Sequence, residues 1–344
     1  MLKRIILITF FITTLTAVSF AQTGSYAGAF ARMGFGAKGL AMGNAMVSNS
    51  FGDVSSYYNP ALSCFQVQGF ANIGYTFLSL DRKLNFVSFS KKFNLQSNKK
   101  GGAGISLSWI NAGVNNIDGR DNDTRQLGDL STFENQFALG TSFLIDENFS
   151  LGVAFKLYYA KLYDKVTTNS VAFDIGAVYK LYPNLSFGLA LKDISARYKW
   201  ETSKIYGNSG TTTENKFPVL LNLGSTYLLP KNFGTVSLEL ESYINPKLET
   251  KDETGVVINS DRKINYYLKA GGEIKVSNNL YLRAGIERIE FGSEDFWGNI
   301  KPGFGIGFYR NFTKGIILGI DYSFQLEPYS HEPVQNLGIG FKFN

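Results

Sequence analysis

The stretch Gly315-Ile316-Ile317-Leu318-Gly319-Ile320-Asp321-Tyr322-Ser323-Phe324-Gln325-Leu326 decides the fold. Ile316, Leu318, Ile320, Tyr322, Phe324 and Leu326 fall on one side of a period of two, and Ile317, Gly319, Asp321, Ser323 and Gln325 on the other. Such alternation belongs to a β-strand whose two faces meet different surroundings. Ser170 to Leu181 repeats it, with Val171, Phe173, Ile175, Ala177, Tyr179 and Leu181 set against Ala172, Asp174, Gly176, Val178 and Lys180. Lys263 to Val276 does so again, with Ile264, Tyr266, Leu268 and Ala270 opposite Asn265, Tyr267, Lys269, Gly271, Glu273 and Lys275.

Working outward, the alternation predicts about fourteen strands, at 69–80, 83–94, 102–114, 134–145, 148–161, 170–182, 184–200, 217–229, 232–246, 263–276, 278–290, 300–311, 313–326 and 334–343. Many run to roughly 10–14 residues, the length of a tilted bilayer crossing, whereas strands of soluble sheets average about 5–6. Aromatic residues sit near strand ends on the apolar face, at Tyr75, Tyr159, Tyr227 and Phe343, as interfacial girdles require. The opposite face mixes glycine, hydroxyl, amide and charged side chains, the lining of a lumen and not of a dry sandwich core. Tight turns at 146–147, 183–184, 230–231, 277–278 and 311–313 alternate with longer polar stretches at 115–133, 162–169, 201–216, 247–262, 291–299 and 327–333. An even number of strands with short turns at one end and long loops at the other describes a bacterial outer-membrane barrel, with both termini on the periplasmic side. The first outside connection, Asp81-Arg82, is very short, and the inner one near 96–101 is long for its end.

Composition agrees. Of 344 residues, 36 are Gly, 29 Phe and 19 Tyr, only 18% are charged, and the mean hydropathy is −0.06. Ordinary soluble domains carry about 25% charged residues. The formal charge of +6 comes from 34 basic residues interleaved with 28 acidic ones. No clustered basic face is present, so nucleic acid is excluded as a partner. The single cysteine, Cys64, rules out a disulfide framework or a cysteine-based zinc site.

Lys3 and Arg4 precede an apolar run from Ile5 to Ile12 that continues to Ser19-Phe20-Ala21, the pattern of a secretory signal peptide over residues 1–21 cleaved near Ala21. Its loss lowers the positive surplus from six to four. Residues 22–66 lack the period of two and are rich in Gly, Ala and Met. Gly34, Gly36 and Gly39 spell G-x-G-x-x-G, but no strand precedes them and no βαβ unit surrounds them, so tight folding in a confined lumen is the better account. The segment ends in Tyr57-Tyr58-Asn59-Pro60-Ala61-Leu62, a turn-forming Asn-Pro flanked by aromatics.

These residues, with the Gly/Ala-rich block and Phe51-Gly52-Asp53-Val54-Ser55, resemble the N-terminal signature of the PorV/PorQ family, related to the FadL-type long-chain fatty-acid channels. The specific motif covers about residues 30–62, and the barrel pattern the rest of the mature chain. The resemblance implies a lumenal hatch at 22–66 containing Asn59, Pro60 and Ala61, followed by a transmembrane barrel at 67–344 in the outer membrane of a Gram-negative, Bacteroidetes-like bacterium. It also implies two roles. PorV-like proteins receive or shuttle cargo in type IX protein secretion, so secreted proteins or secretion components would be partners. FadL-like proteins instead pass hydrophobic small molecules. Where outer-membrane barrels commonly end in an aromatic residue, this chain ends Phe343-Asn344, one residue beyond it.

Catalytic, metal and cofactor sites are not expected. The lone histidine, His331, lies beside Glu332 in a loop with no marked serine nucleophile nearby. Asp118, Asp121, Asp123 and Asp129 are dense in oxygen but lack EF-hand spacing and are diluted by Arg120 and Arg125, so they read as a solvated loop. The charged residues Asp174, Lys180, Glu239, Glu241, Lys269, Glu273, Arg283 and Glu287 are expected in the lumen, paired with one another or with the hatch.

Overall fold

The computed structural model describes residues 26–53, 56–95, 101–121, 123–247, 249–251, 257–259, 263–290, 299–327 and 333–343. The signal-peptide reading, its cleavage near Ala21 and His331 lie outside the described residues.

The strands are β1 (Gly69–Phe77), β2 (Arg82–Asn94), β3 (Gly102–Arg120), β4 (Gln126–Leu144), β5 (Phe149–Tyr163), β6 (Val166–Tyr182), β7 (Leu185–Ile194), β8 (Arg197–Glu201), β9 (Thr212–Lys216), β10 (Val219–Leu228), β11 (Gly234–Ile244), β12 (Glu249–Lys251), β13 (Val257–Asn259), β14 (Ile264–Lys275), β15 (Leu280–Ile289), β16 (Lys301–Thr313), β17 (Ile316–Gln325) and β18 (Val334–Phe343). Fourteen of them form one closed antiparallel barrel, in the order β1-β18-β17-β16-β15-β14-β11-β10-β7-β6-β5-β4-β3-β2. Closure is made by β1 on β18, running from Gly69 opposite Phe343 to Phe77 opposite Gln335. Among the described residues no helix is long and apolar enough to cross a membrane, so strands are what span.

The period of two becomes an inside and an outside. On β5, Ser150, Gly152, Ala154, Lys156, Tyr158 and Ala160 are buried, while Leu151, Val153, Phe155, Leu157 and Tyr159 are exposed. Similar exposed apolar rows run along β3, β4, β6, β10, β11 and β16–β18. An apolar surface so extensive belongs in lipid, because monomeric soluble proteins rarely leave contiguous patches of more than a few hundred Å² in water. At the long-loop end this outer face carries Trp109, whose Nε1 donates to Asn135 (3.1 Å), beside Asn111, which donates to the same oxygen (2.9 Å). An aromatic and amide row of this kind marks the edge of an apolar band.

Three connections differ from the sequence expectation. Much of 115–133, expected as a loop, is strand: β3 and β4 are each 19 residues long, and they project as a hairpin beyond the Trp109 row. Outside a bilayer both faces of a hairpin are wet, so its sequence loses the period of two by which strands are recognised. Residues 162–169 hold only a tight turn at Asp164-Lys165, with Lys165 at φ 66°. The expected strand 184–200 is two: β7 ends where Asp193 (φ 60°) and Ser195 (φ 69°) turn the chain, and β8 leaves the barrel to pair with β9.

An arginine on the lipid-facing side should be costly at mid-depth and cheap near the edge. Ile175→Arg is expected to lower barrel stability by about 2–4 kcal/mol in phosphocholine vesicles, and Thr167→Arg by at most about 1 kcal/mol. Equal effects in a urea titration of the folded gel band would contradict the placement of the band.

Candidate functional site

Residues 26–53 and 56–66 are packed inside the barrel, and the fit depends on missing side chains. The segment starts at the long-loop end with Tyr26 and a short 3₁₀ turn, Ala29–Arg32, then forms a one-and-a-half-turn helix at Gly36–Ala41. From there its backbone runs along the barrel wall over lumen-facing glycines. A Cβ on Gly303 would lie 2.4 Å from Leu40 O, on Gly271 2.1 Å from Met42 O, on Gly188 2.3 Å from Val47 O, and on Gly176 2.0 Å from Asn59 Oδ1. No real Cβ tolerates such distances, so these positions accept only hydrogen. The Gly34/Gly36/Gly39 series finds its reason here too. Gly34 (φ 104°) lies against the Asn44 side chain, and a Cβ on Gly39 would fall 1.7 Å from the Tyr58 hydroxyl.

Asn59, Pro60 and Ala61 lie at the centre of the plug, all fully or nearly fully buried. Asn59 Oδ1 accepts from Ala61 N (3.0 Å), capping the 3₁₀ helix Pro60–Phe65, and Pro60 occupies the first turn, where a missing N–H costs nothing. The Asn59 amide nitrogen faces three carbonyls: Val47 O (2.9 Å) in the plug, Ala177 O (3.1 Å) on β6 and Leu189 O (3.2 Å) on β7. One side chain thus ties the plug to itself and to two wall strands. Tyr58 does similar work, accepting from Phe35 N (3.0 Å) and donating to Asn44 Oδ1 (2.8 Å), while Tyr57 donates to Ala31 O (2.7 Å). Burial raises the pKa of both phenols well above the ordinary tyrosine value, so they act as neutral hydrogen-bonding groups.

Charged lumen residues fall into compensated clusters. Lys156 pairs with Asp174 (2.7 Å) and Asp193 (2.8 Å), Lys269 with Glu241 (2.8 Å), and Arg283 with Glu273 (2.7 Å) and Asp321 (2.5 Å). The plug joins them: Lys38 reaches Glu273 (3.0 Å), Val47 N donates to Glu239 (2.9 Å), and Asn44 donates to Glu287 (3.0 Å). Asp53 pairs with Lys342. Seven of the eight charges read from sequence are therefore where the alternation put them and are paired as expected. Lys180 differs: it stands over the Phe51 and Phe65 rings of the plug, 5.3 and 4.5 Å from their centroids. Asp321, set on the polar face of its strand by the alternation, is buried in the lumen, whereas sequence reasoning missed Lys156 and the pair Lys192-Asp193. The last two are neighbours, so simple alternation sends one of them outward. A bulge against β6, with Asp193 in the left-handed region, turns both inward.

Two kinds of space remain. Below the plug surface the free volumes are about 10 Å³, near Gln136 and Lys156, and about 20 Å³, near Lys192 and Asn222. Each is on the scale of a single water molecule. At the long-loop mouth, by contrast, lies a cavity of about 500 Å³ walled by Phe30, Met33, Leu84, Ala112, Tyr198 and Trp200. Its lining also includes Lys83, Gly113, Phe133 and Lys161, one row of residues across β2, β3, β4 and β5. On the outer wall, on the short-turn side of the Gly113 row, Val87, Leu107, Trp109, Phe137 and Leu139 line an apolar groove of about 480 Å³.

Among the described residues no group of three or more His, Cys, Asp or Glu is arranged to hold a metal. The acidic loop after β3 spends its oxygens on itself: Asp121 Oδ1 accepts from Asp123 N (2.9 Å) and Arg125 N (2.8 Å), and Asp118 pairs with Arg120 (2.8 Å).

No family model and no curated protein matches the chain. Solved structures do. The Pseudomonas putida toluene transporter TodX aligns with a TM-score of 0.61 at 13% identity, over 90% of this chain and 98% of its own. The Ralstonia pickettii toluene transporter TbuX gives 0.59 at 11% identity, and a Pseudomonas aeruginosa FadL homologue 0.55 at 12%, each over 90% of this chain and 98% of the other. What these likenesses establish is a shared fold. The chain is a 14-stranded barrel of the FadL-type outer-membrane architecture.

The plug is expected to depend on the bare wall. Gly176→Ala should cost about 1–3 kcal/mol by overpacking, whereas Gly338→Ala, whose nearest neighbouring atom would stand 3.5 Å from the new Cβ, should be close to neutral. Asn59→Ala should cost about 2–3 kcal/mol through the lost cap and unpaired carbonyls. Thermal midpoints of the gel-shift transition rank the three; a Gly176 variant as stable as the Gly338 variant would contradict the contact.

Proposed function

We propose that the protein is a non-enzymatic outer-membrane channel that passes hydrophobic small molecules, with residues 22–66 as its hatch and 67–344 as its barrel. The observation that carries this reading is the pairing of a largely apolar mouth cavity of about 500 Å³ with spaces of about 10 and 20 Å³ among the described residues of the plugged lumen beneath it. A cavity of that size and lining falls in the range of small-molecule sites, about 300–1,000 Å³. Two of the structural neighbours are described as toluene transporters, which supports the same substrate class. With the straight route blocked, the row at Gly113 offers a sideways one: a wall position without a side chain lies between the mouth cavity and the outer groove at Trp109.

The PorV/PorQ resemblance carries the alternative, shuttling of secreted proteins. Its motif residues Asn59, Pro60 and Ala61 are engaged with β5, β6 and β7 and face no solvent, so they account for the motif by packing without calling on a cargo. The structural neighbours favour the channel.

In nanodiscs the protein is expected to bind butylbenzene saturably, and Ala112→Trp, which fills the cavity, should weaken that binding at least about tenfold. Planar-bilayer conductance for small ions should stay near background. Absence of saturable binding, together with co-purification of secreted proteins sharing a C-terminal domain, would overturn the channel in favour of the shuttle.

A further inference from the structure

Given a mouth cavity that takes a hydrophobic molecule, the side chains on its wall say what else that molecule carries. We infer that the cavity prefers an apolar body bearing one hydrogen-bond donor, best of all a protonated amine, and disfavours carboxylates, because Glu134 is the acidic side chain of the cavity's inner wall. This specificity rests on the channel reading above.

Glu134 lies on β4 with inward parity, between Thr132 and the buried Gln136, and it lines the cavity beside Phe30, Leu84, Ala112 and Tyr198. Its Oε2 accepts from the Tyr198 hydroxyl at 2.8 Å. Among the described residues it makes no ion pair and accepts no other hydrogen bond. An ionised carboxylate has about four acceptor positions, and leaving most of them unmet against an apolar wall is unfavourable. A ligand N–H or O–H arriving there meets an acceptor already held in place by Tyr198, whose own ring is fixed edge-on against Phe217 and Trp200 (centroids 4.9 and 5.3 Å). A ligand carboxylate meets like charge.

The cations of the cavity do not reverse this preference. Arg82 is spent on the β1–β2 turn, donating to Ser79 O and Oγ (3.0 Å each). Lys161 is held by Ser131 (3.1 Å) and Asp164 (3.5 Å), and Lys83 is exposed to solvent, where a charge pair gains little. Arg32, a cation of the plug whose charge does act on Glu134, donates to Ala27 O (3.0 Å) and lies over the Phe217 ring (5.8 Å); it lines the space of about 20 Å³ and not the mouth cavity. Lys83 and Lys161 stand in register with Gly113 and Phe133, one residue along from the Leu84–Ala112–Glu134 row and so of opposite parity on their strands, and Lys161 is already engaged by Ser131 and Asp164.

The test uses four probes with one phenylbutyl body, measured on the full-length protein in zwitterionic nanodiscs with empty nanodiscs subtracted: phenylbutylamine, phenylbutanol, butylbenzene and phenylbutanoate. The expected order of affinity is that order, with the amine bound at least about tenfold more tightly than the carboxylate, the ratio a charge-assisted hydrogen bond supports. Glu134→Gln, checked for folding by the heat-shifted gel band, should shrink the amine-to-carboxylate ratio to within about threefold. Carboxylate bound as tightly as amine would overturn the specificity while saturable butylbenzene binding left the channel reading standing. An amine preference that survives in Glu134→Gln would remove Glu134 as its cause. If none of the four probes binds saturably, the specificity and the channel reading fall together.

Discussion

Inside a bilayer every backbone N–H and C=O must find a protein partner, and this chain meets that demand by pairing β1 with β18. With the ring closed, the barrel sheet has no free edge, and residues of the wall are assigned to lipid or lumen by parity except at bulges such as Lys192-Asp193. All later features follow from that assignment. The outward rows become aliphatic and aromatic because they meet lipid. The inward rows are free to be small, charged or absent altogether, because what they meet is set by the plug.

The plug is where the barrel departs from a simple pore. Its backbone approaches the wall so closely at Gly188, Gly271 and Gly303, and the Asn59 side chain at Gly176, that glycine is required at these positions of β7, β14, β16 and β6. The packing is therefore distributed around the ring and not concentrated at one strand. Polar ties reinforce it: the Asn59 amide, the Lys38–Glu273 pair and the Val47–Glu239 hydrogen bond come from three different parts of the plug. Buried charges this numerous are tolerable because Lys156, Lys269 and Arg283 each sit between carboxylates, the condition on which charged groups survive burial. With the lumen filled in this way, a cavity of about 500 Å³ lies at the mouth, where aromatic residues from the plug, the wall and the β8–β9 excursion meet.

Much of the barrel was legible in the sequence. Wherever one face meets lipid and the other the lumen, the period of two is strong, and strands such as β5, β14, β17 and β18 fall within a few residues of their expected limits. The signal fades where that physical contrast ends. The outer halves of β3 and β4 stand in water on both sides and read as loop. The bulge at Lys192-Asp193 breaks parity, and so two of the lumen's buried charges were not recognised. Glu134, at the border between lumen and mouth, follows inward parity, but nothing local marks it as the acid of a cavity wall, since Phe30, Leu84, Tyr198 and Trp200 come from distant parts of the chain.

The sequence by itself determined the membrane-spanning architecture, its strand number, the inward or outward sense of most residues and the existence of a chemically different segment before the first strand. These depend on local alternation, which each strand carries on its own. Only the tertiary structure decided that the glycines of the wall and the plug are made for each other, that Asn59 bridges β6 and β7, and that an apolar cavity of about 500 Å³ opens at the mouth. Those are properties of surfaces brought together from sequence separations of more than a hundred residues, and no periodicity within a strand encodes which face of another segment will lie against it.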